Sequence, residues 1–231
     1  MRTLLYSATA CLLTHASYAL IIDDFSSAIT GGPLETTPVS GLDSAFDSSP
    51  GGVLFDERDW ALIEPTGTPG LAVSSLEVNT VIEGLSFFND PDVSSSAFEV
   101  NYFSSEGIDL TADGLNSIFE VEIFFSDIAP PQSAEIEIFA EDGTGTVGSA
   151  SVLFDVAGTY SVAFAAFDGP VDFTDVTAVG FTVFAEDVDA PDVVIDEFRT
   201  AVPEPATYAA LFGILALAVV RLRRSARRAC A

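Results

Sequence analysis

The chain contains no lysine, and between residues 20 and 202 it contains no histidine and no cysteine. Each absence removes a chemistry. Without histidine a Ser-His-Asp triad cannot be assembled there, and without cysteine neither can a thiol nucleophile or a disulfide. Zinc loses its two usual ligand types. The eight basic residues are all arginine, and only Arg58 and Arg199 fall within 20–202, against 34 acidic residues, a net of −32. Such a surface repels phosphate backbones and excludes nucleic acid as a partner. It favours solubility, divalent cations and cationic partners. A phosphate-cradling loop is missing too, since Gly143-Thr144-Gly145 lacks the lysine and the helix of a P-loop. No stretch of the middle of the chain shows sustained helical periodicity.

What is present is apolar surface and alternation. Of 231 residues, 48% are hydrophobic and 19 are Phe, enough to bury one sizeable core despite the charge. Phe119-Glu120-Val121-Glu122-Ile123 and Glu135-Ile136-Glu137-Ile138 alternate with period two. Strand-like runs also cover 20–25, 53–63, 71–77, 81–88, 97–103, 159–167, 176–185 and 193–199. Turn signals separate them, among them Ser49-Pro50-Gly51-Gly52, Pro130-Pro131 and Asp168-Gly169-Pro170. The reading is an all-β, antiparallel β-sandwich, jelly-roll-like, over residues 20–202. Ile21-Ile22-Asp23-Asp24-Phe25 opens this domain and the similar Val194-Ile195-Asp196-Glu197-Phe198 closes it, so the two are expected to be neighbours.

The two ends have different compositions. Residues 1–19 have Arg2, an apolar stretch from Leu4 to Leu13 and Ser17-Tyr18-Ala19, the layout of a secretory signal peptide. Residues 203–231 open with Pro203-Glu204-Pro205, a stiff extended segment. An uncharged run, 208–220, follows and then Arg221, Arg223, Arg224, Arg227 and Arg228. As a helix that run reaches about 20 Å, short of the roughly 30 Å hydrocarbon layer, so it reads as a marginal transmembrane helix. The arginines place it with its C-terminus in the cytoplasm.

In order, spacing and position, Val202-Pro203-Glu204-Pro205-Ala206-Thr207, the short apolar run and the arginine cluster resemble the PEP-CTERM sorting signal. The resemblance covers about 29 residues. It implies an exosortase-type membrane protease of an exopolysaccharide-making Gram-negative bacterium as partner. It also implies transient anchoring in the inner membrane through 208–220 and delivery to the cell surface or extracellular matrix. Ile108-Asp109-Leu110-Thr111, the segment 172–179 and 194–198 are similar to galactose-binding-like and carbohydrate-binding β-sandwiches.

Functional residues are sought where alternation gathers acids and aromatics. If 118–125 and 134–141 pair as a hairpin around Pro130-Pro131, Glu122 and Phe124 lie beside Glu137 and Phe139. Facing carboxylates must be hydrated, protonated or bridged by a cation, and an aromatic ring among them is a means of holding a sugar. Three readings follow: a solvated face, a carbohydrate or cation site, and carboxylate-based glycoside hydrolysis. Calcium is the cofactor the composition permits, with Asp23, Asp24, Asp196, Glu197 and Asp142 as ligand candidates. Trp60 reads as a core plug and Arg58 as tied to nearby acids. The function expected is that of a non-enzymatic, exported component of the exopolysaccharide matrix. The alternatives are a carbohydrate-binding module, with or without calcium, and a glycosidase.

Overall fold

A computed structural model describes residues 19–37, 40–67, 72–79, 84–128 and 130–202. The signal peptide, the Pro203-Glu204-Pro205 motif, the 208–220 run and the arginine cluster lie outside the described residues. Among those described, no helix is long and apolar enough to cross a membrane.

The described strands are β1 (Leu20–Asp23), β2 (Leu34–Thr36), β3 (Asp43–Ser48), β4 (Glu57–Gly67), β5 (Ser74–Asn79), β6 (Gly84–Asn89) and β7 (Val93–Ile108). They continue with β8 (Ile118–Ser126), β9 (Ala134–Asp142), β10 (Val147–Phe154), β11 (Gly158–Ala163), β12 (Val176–Ala185) and β13 (Val193–Ala201). They form two antiparallel sheets. The seven-stranded sheet runs β11-β8-β13-β6-β5-β2, with β1 added on β13, and the six-stranded sheet runs β10-β9-β12-β7-β4-β3. The expected β-sandwich is present, and each run expected from the sequence contains a described strand, although the run 159–167 ends as a strand at Ala163 and Phe164–Ala166 form a 3-10 turn. The opening and closing segments are neighbours: Leu20 lies opposite Thr200 and Asp23 opposite Phe198.

β9 shows why the alternation works. Ala134, Ile136, Ile138 and Ala140 are buried while Glu135, Glu137, Phe139 and Glu141 face outward at intermediate exposure. The two inner faces meet through a run of rings. Phe87 contacts Phe98 at 4.8 Å between centroids, Phe181 contacts Phe198 at 5.2 Å, and Phe198 stacks on Phe119 at 5.7 Å. Phe98 and Phe181 belong to the six-stranded sheet, while Phe87, Phe119 and Phe198 belong to the other. The core is therefore stitched by aromatic contacts across the sandwich.

One part of the core is ionic. Arg58 is fully buried, and its Nη1 donates to Asp23 at 2.8 Å and its Nη2 to Asp47 at 3.0 Å. Nη2 also reaches Ser27 Oγ at 2.9 Å. Trp60 is 1% exposed, donates its indole N–H to Asp47 at 2.6 Å and lies with its ring centre 4.3 Å from the guanidinium. Tyr102 donates its hydroxyl to Asp23 at 2.9 Å. Trp60 is thus a core residue, as expected. Arg58 is tied to Asp23 and Asp47, not to its sequence neighbours Asp56, Glu57 and Asp59, because those project to the other side of β4 or beyond its end.

The hairpin of 118–125 with 134–141 does not exist. β8 lies between β11 and β13, whereas β9 lies between β10 and β12 in the opposite sheet. The connection through Pro130-Pro131 crosses from one sheet to the other. Glu122 sits opposite Thr159 and Glu197, and Glu137 opposite Ser151 and Thr182. Alternation records which residues point outward, but not which sheet they point out of.

Candidate functional site

That correction divides the four aromatic and acidic candidates between two surfaces. Glu122 and Phe124 lie on the outside of the seven-stranded sheet. There Arg199 bonds Glu120 at 2.8 Å, Glu122 at 3.2 Å and Glu197 at 2.7 Å, so these carboxylates are engaged with one guanidinium. Phe124 is 68% exposed beyond them. Glu137 and Phe139 lie on the outside of the six-stranded sheet, where the neighbourhood differs.

The register of the six-stranded sheet sets its outer residues in rows across the strands. One row is Ser149, Phe139, Gly180, Asn101, Asp59 and Phe46, taken from β10, β9, β12, β7, β4 and β3 in turn. The next is Ser151, Glu137, Thr182, Glu99, Ala61 and Ser44. At a strand spacing of about 4.8 Å the face is roughly 24 Å across. Phe46 is 51% exposed at one edge. Ser44, Phe46, Asp59, Ala61 and Asn101 line a depression of about 430 Å³. Two others open on the same side, one of about 490 Å³ bounded by Ser48, Glu57, Phe103 and Ser104 and one of about 330 Å³ by Glu135, Leu153, Phe184 and Glu186.

Gly180 shapes the middle of this face. A Cβ there would stand 2.3 Å from Phe139 Cε1, 2.4 Å from Asn101 Oδ1 and 2.6 Å from the Val100 backbone oxygen. The absent side chain lets the Phe139 ring lie over β12. Asn101 Nδ2 donates to Glu99, while Asn101 Oδ1 is buried and accepts no hydrogen bond. Gly180→Ala is expected to lower stability by about 1–3 kcal/mol, because the Val100 carbonyl belongs to the ladder and cannot rotate away. Thermal unfolding of the variant checks this.

The electrostatics of the face are one-signed. Glu57, Asp59, Glu99, Glu135, Glu137 and Glu141 project from it, and neither described arginine does: Arg58 is in the core and Arg199 on the opposite sheet. Partial burial, together with the charges of Glu57, Asp47 and Glu99, raises the Asp59 carboxyl above its usual range. Sequence reading missed Phe46, Asp59, Glu99 and Asn101. Only Asp59 left a local signal, in Asp56-Glu57-Arg58-Asp59-Trp60, where Arg58 and Trp60 share one phase and Glu57 and Asp59 the other.

Of the calcium candidates, the side chains of Asp23, Glu197 and Asp142 lie apart, although β1 and β13 bring the segments 21–25 and 194–198 side by side. Asp23 is buried against Arg58, whereas Glu197 is bound to Arg199 on the outside of the same sheet. Asp142 stands at the end of β9, in the other sheet. Among the described residues, no three acidic side chains form a group able to hold a metal ion. Asp142 instead caps its own turn, accepting from the Thr144 amide and hydroxyl, the Thr146 amide and the Asp172 amide. Asp109 and Asp172 do the same with Thr111 and Thr174.

Those bonds, led by the Thr144 hydroxyl, hold Asp142 well below the usual carboxylate range. A depressed folded pKa gives stability that is complete above the unfolded value near 4 and lost as pH falls through the folded one. Acid titration of the wild type is therefore expected to lower the unfolding midpoint below about pH 4. In Asp142→Asn the midpoint is lower at neutral pH and the acid slope shallower.

No family model matches the chain, and no curated protein matches it. Among solved structures it is similar to a family 11 carbohydrate-binding module from Clostridium thermocellum in complex with a β-1,3-1,4-mixed-linked tetrasaccharide. That match has 14% identity and a TM-score of 0.39, covering 80% of this chain and 95% of that one. An agarase, AgWH50C, matches at 13% identity and a TM-score of 0.38, over 59% of this chain and 23% of the agarase. A module in complex with β-1,4-galactotriose matches at 14% identity and 0.29, over 51% of this chain and 68% of that one. The two-sheet architecture here is established by the strand pairing itself.

Proposed function

We propose that this chain is an exported, non-catalytic glycan-contacting protein of the cell surface or exopolysaccharide matrix, and that the outer face of its six-stranded sheet is the contact surface. The observation that carries this reading is the cross-strand row in which Phe46 and Phe139 flank Asp59 and Asn101, with depressions opening beside them. The exposed Phe46 ring and the partly exposed Phe139 ring offer apolar platforms for the C–H faces of sugars, and the Asp59 carboxylate between them accepts hydrogen bonds from hydroxyls. Shallow depressions on a sheet face suit a long chain lying across it better than an enclosed small molecule. The tail supplies the address: sorting by an exosortase-type protease places this face where exopolysaccharide is laid down. The carboxylate pair that the sequence offered for glycoside hydrolysis is split between opposite sheets, which favours binding over catalysis.

Co-sedimentation of the full chain, in detergent, with the producing cell's exopolysaccharide tests the reading. Saturable binding is expected, weakened at least tenfold in a Phe46→Ala, Phe139→Ala double variant and unchanged in Phe124→Ala. Repeating it with chelator shows whether calcium is required. Equal loss in Phe124→Ala would move the contact to the other sheet, release of reducing ends would make the protein a hydrolase, and no binding would leave it placed by its tail alone.

A further inference from the structure

We infer that the depression between Phe46, Asp59 and Asn101 takes a sugar carrying a free amine, so that the glycan class is a polysaccharide with unacetylated hexosamine units. The inference rests on the glycan-contacting reading above and names its substrate class. Asp59 lies directly between Phe46 of β3 and Asn101 of β7 in register. Phe46 is half exposed and bounds the depression from one side, and Asn101 bounds it from the other. A pyranose stacked on Phe46 therefore places a ring substituent over Asp59. That substituent meets a carboxylate with no cationic partner in the structure, since both described arginines are committed elsewhere. Glu57 flanks Asp59 on its own strand and Glu99 lies on the adjacent one, so a hydroxyl there would leave the like charges opposed while an ammonium would neutralise them. Acidic sugars are repelled by the same three groups. An ammonium has three N–H donors, one for the Asp59 carboxylate and two for water.

The test compares de-N-acetylated and N-acetylated glucosamine oligosaccharides of equal length, titrated calorimetrically into the full chain in detergent. The expected result is at least tenfold tighter binding of the amine form, with affinity falling as salt rises. Because the whole protein is acidic and attracts any polycation, a charge-matched control is needed. Glu77→Gln removes one charge from the outside of the other sheet and should leave the preference intact, whereas Asp59→Asn should reduce it to less than threefold. Asn at this surface position keeps the shape, and thermal unfolding of both variants confirms that they fold. Equal binding of the two oligosaccharides, or an equal effect of Glu77→Gln and Asp59→Asn, overturns the amine inference and leaves the glycan reading standing. Amine-form binding abolished by chelator also overturns it, since a metal ion would then be the cation at Asp59. If neither these oligosaccharides nor the producing cell's exopolysaccharide binds, the glycan reading itself fails.

Discussion

Arg58→Ala is expected to cost about 3–5 kcal/mol, because it strands two buried carboxylates without their cation. Against the 5–15 kcal/mol typical of a folded domain, that is enough to leave the variant partly unfolded at growth temperature. The guanidinium is the joint of four segments: Asp23 in β1, Ser27 in the following loop, Asp47 in β3 and its own strand β4. In the wild type the two acids differ. Burial raises Asp23, and Arg58 and Tyr102 only partly offset it. Burial also pushes Asp47 upward, but the bonds from Thr30, Trp60 and Arg58 outweigh it and hold the carboxyl below its usual range. With Arg58 removed, Asp23 loses its two largest offsets and is raised further by burial, whereas Asp47 keeps its bonds from Thr30 and Trp60. An acid whose folded pKa is raised makes the folded state bind more protons, so the variant should gain stability as pH falls from 7 toward 5. Urea midpoints across that range check the magnitude and the sign together. A variant with an unchanged midpoint at pH 7 would show that the cluster is incidental to the fold.

Phe198→Ala is expected to destabilise by a similar amount, about 3–5 kcal/mol, through a cavity where the two sheets meet. Phe198 is fully buried and its ring contacts Tyr102, Phe119 and Phe181 at centroid distances of 6.0, 5.7 and 5.2 Å. Two of those partners, Tyr102 and Phe181, come from the opposite sheet, so the cavity cannot close by the shift of one strand. Differential scanning calorimetry measures the loss. Phe124→Ala, at a highly exposed ring, serves as the control and should change stability by less than about 0.5 kcal/mol.

The strands that were legible in the sequence are those whose large apolar residues point inward. β9 is the clear case, and β12 and β13 follow it. β3 was missed because its phase is inverted. Its outward position holds Phe46, and its inward one holds Asp47, which is buried only because Arg58, from another strand, meets it. No local rule prices an inward aspartate correctly without knowing its partner. β10 was missed because its inward positions are the small Gly148 and Ala150 followed by Val152 and Phe154, of which only Gly148 and Phe154 are fully buried, so the run from Asp142 to Ser149 reads as turn chemistry. β2 has only three residues.

The candidate site was half legible for a related reason. Glu137 and Phe139 were singled out from their own strand, but the residues completing their face lie on β3, β4 and β7, joined to them only by sheet order. Glu122 and Phe124 carry the same local pattern and belong to the other surface. The neighbour relation of β1 and β13 could be read because it left an echo in the sequence, whereas the order β9-β12-β7-β4-β3 left none.

The central claim, that the outer face of the six-stranded sheet contacts glycan, is tested most directly by hydroxyl-radical footprinting of the full chain with and without the producing cell's exopolysaccharide. Three rings report on the two surfaces at once. Polysaccharide is expected to slow oxidation of Phe46 and Phe139 several-fold while Phe124 is oxidised at its original rate. Protection of Phe124 with Phe46 and Phe139 unchanged would contradict it and assign the contact to the seven-stranded sheet.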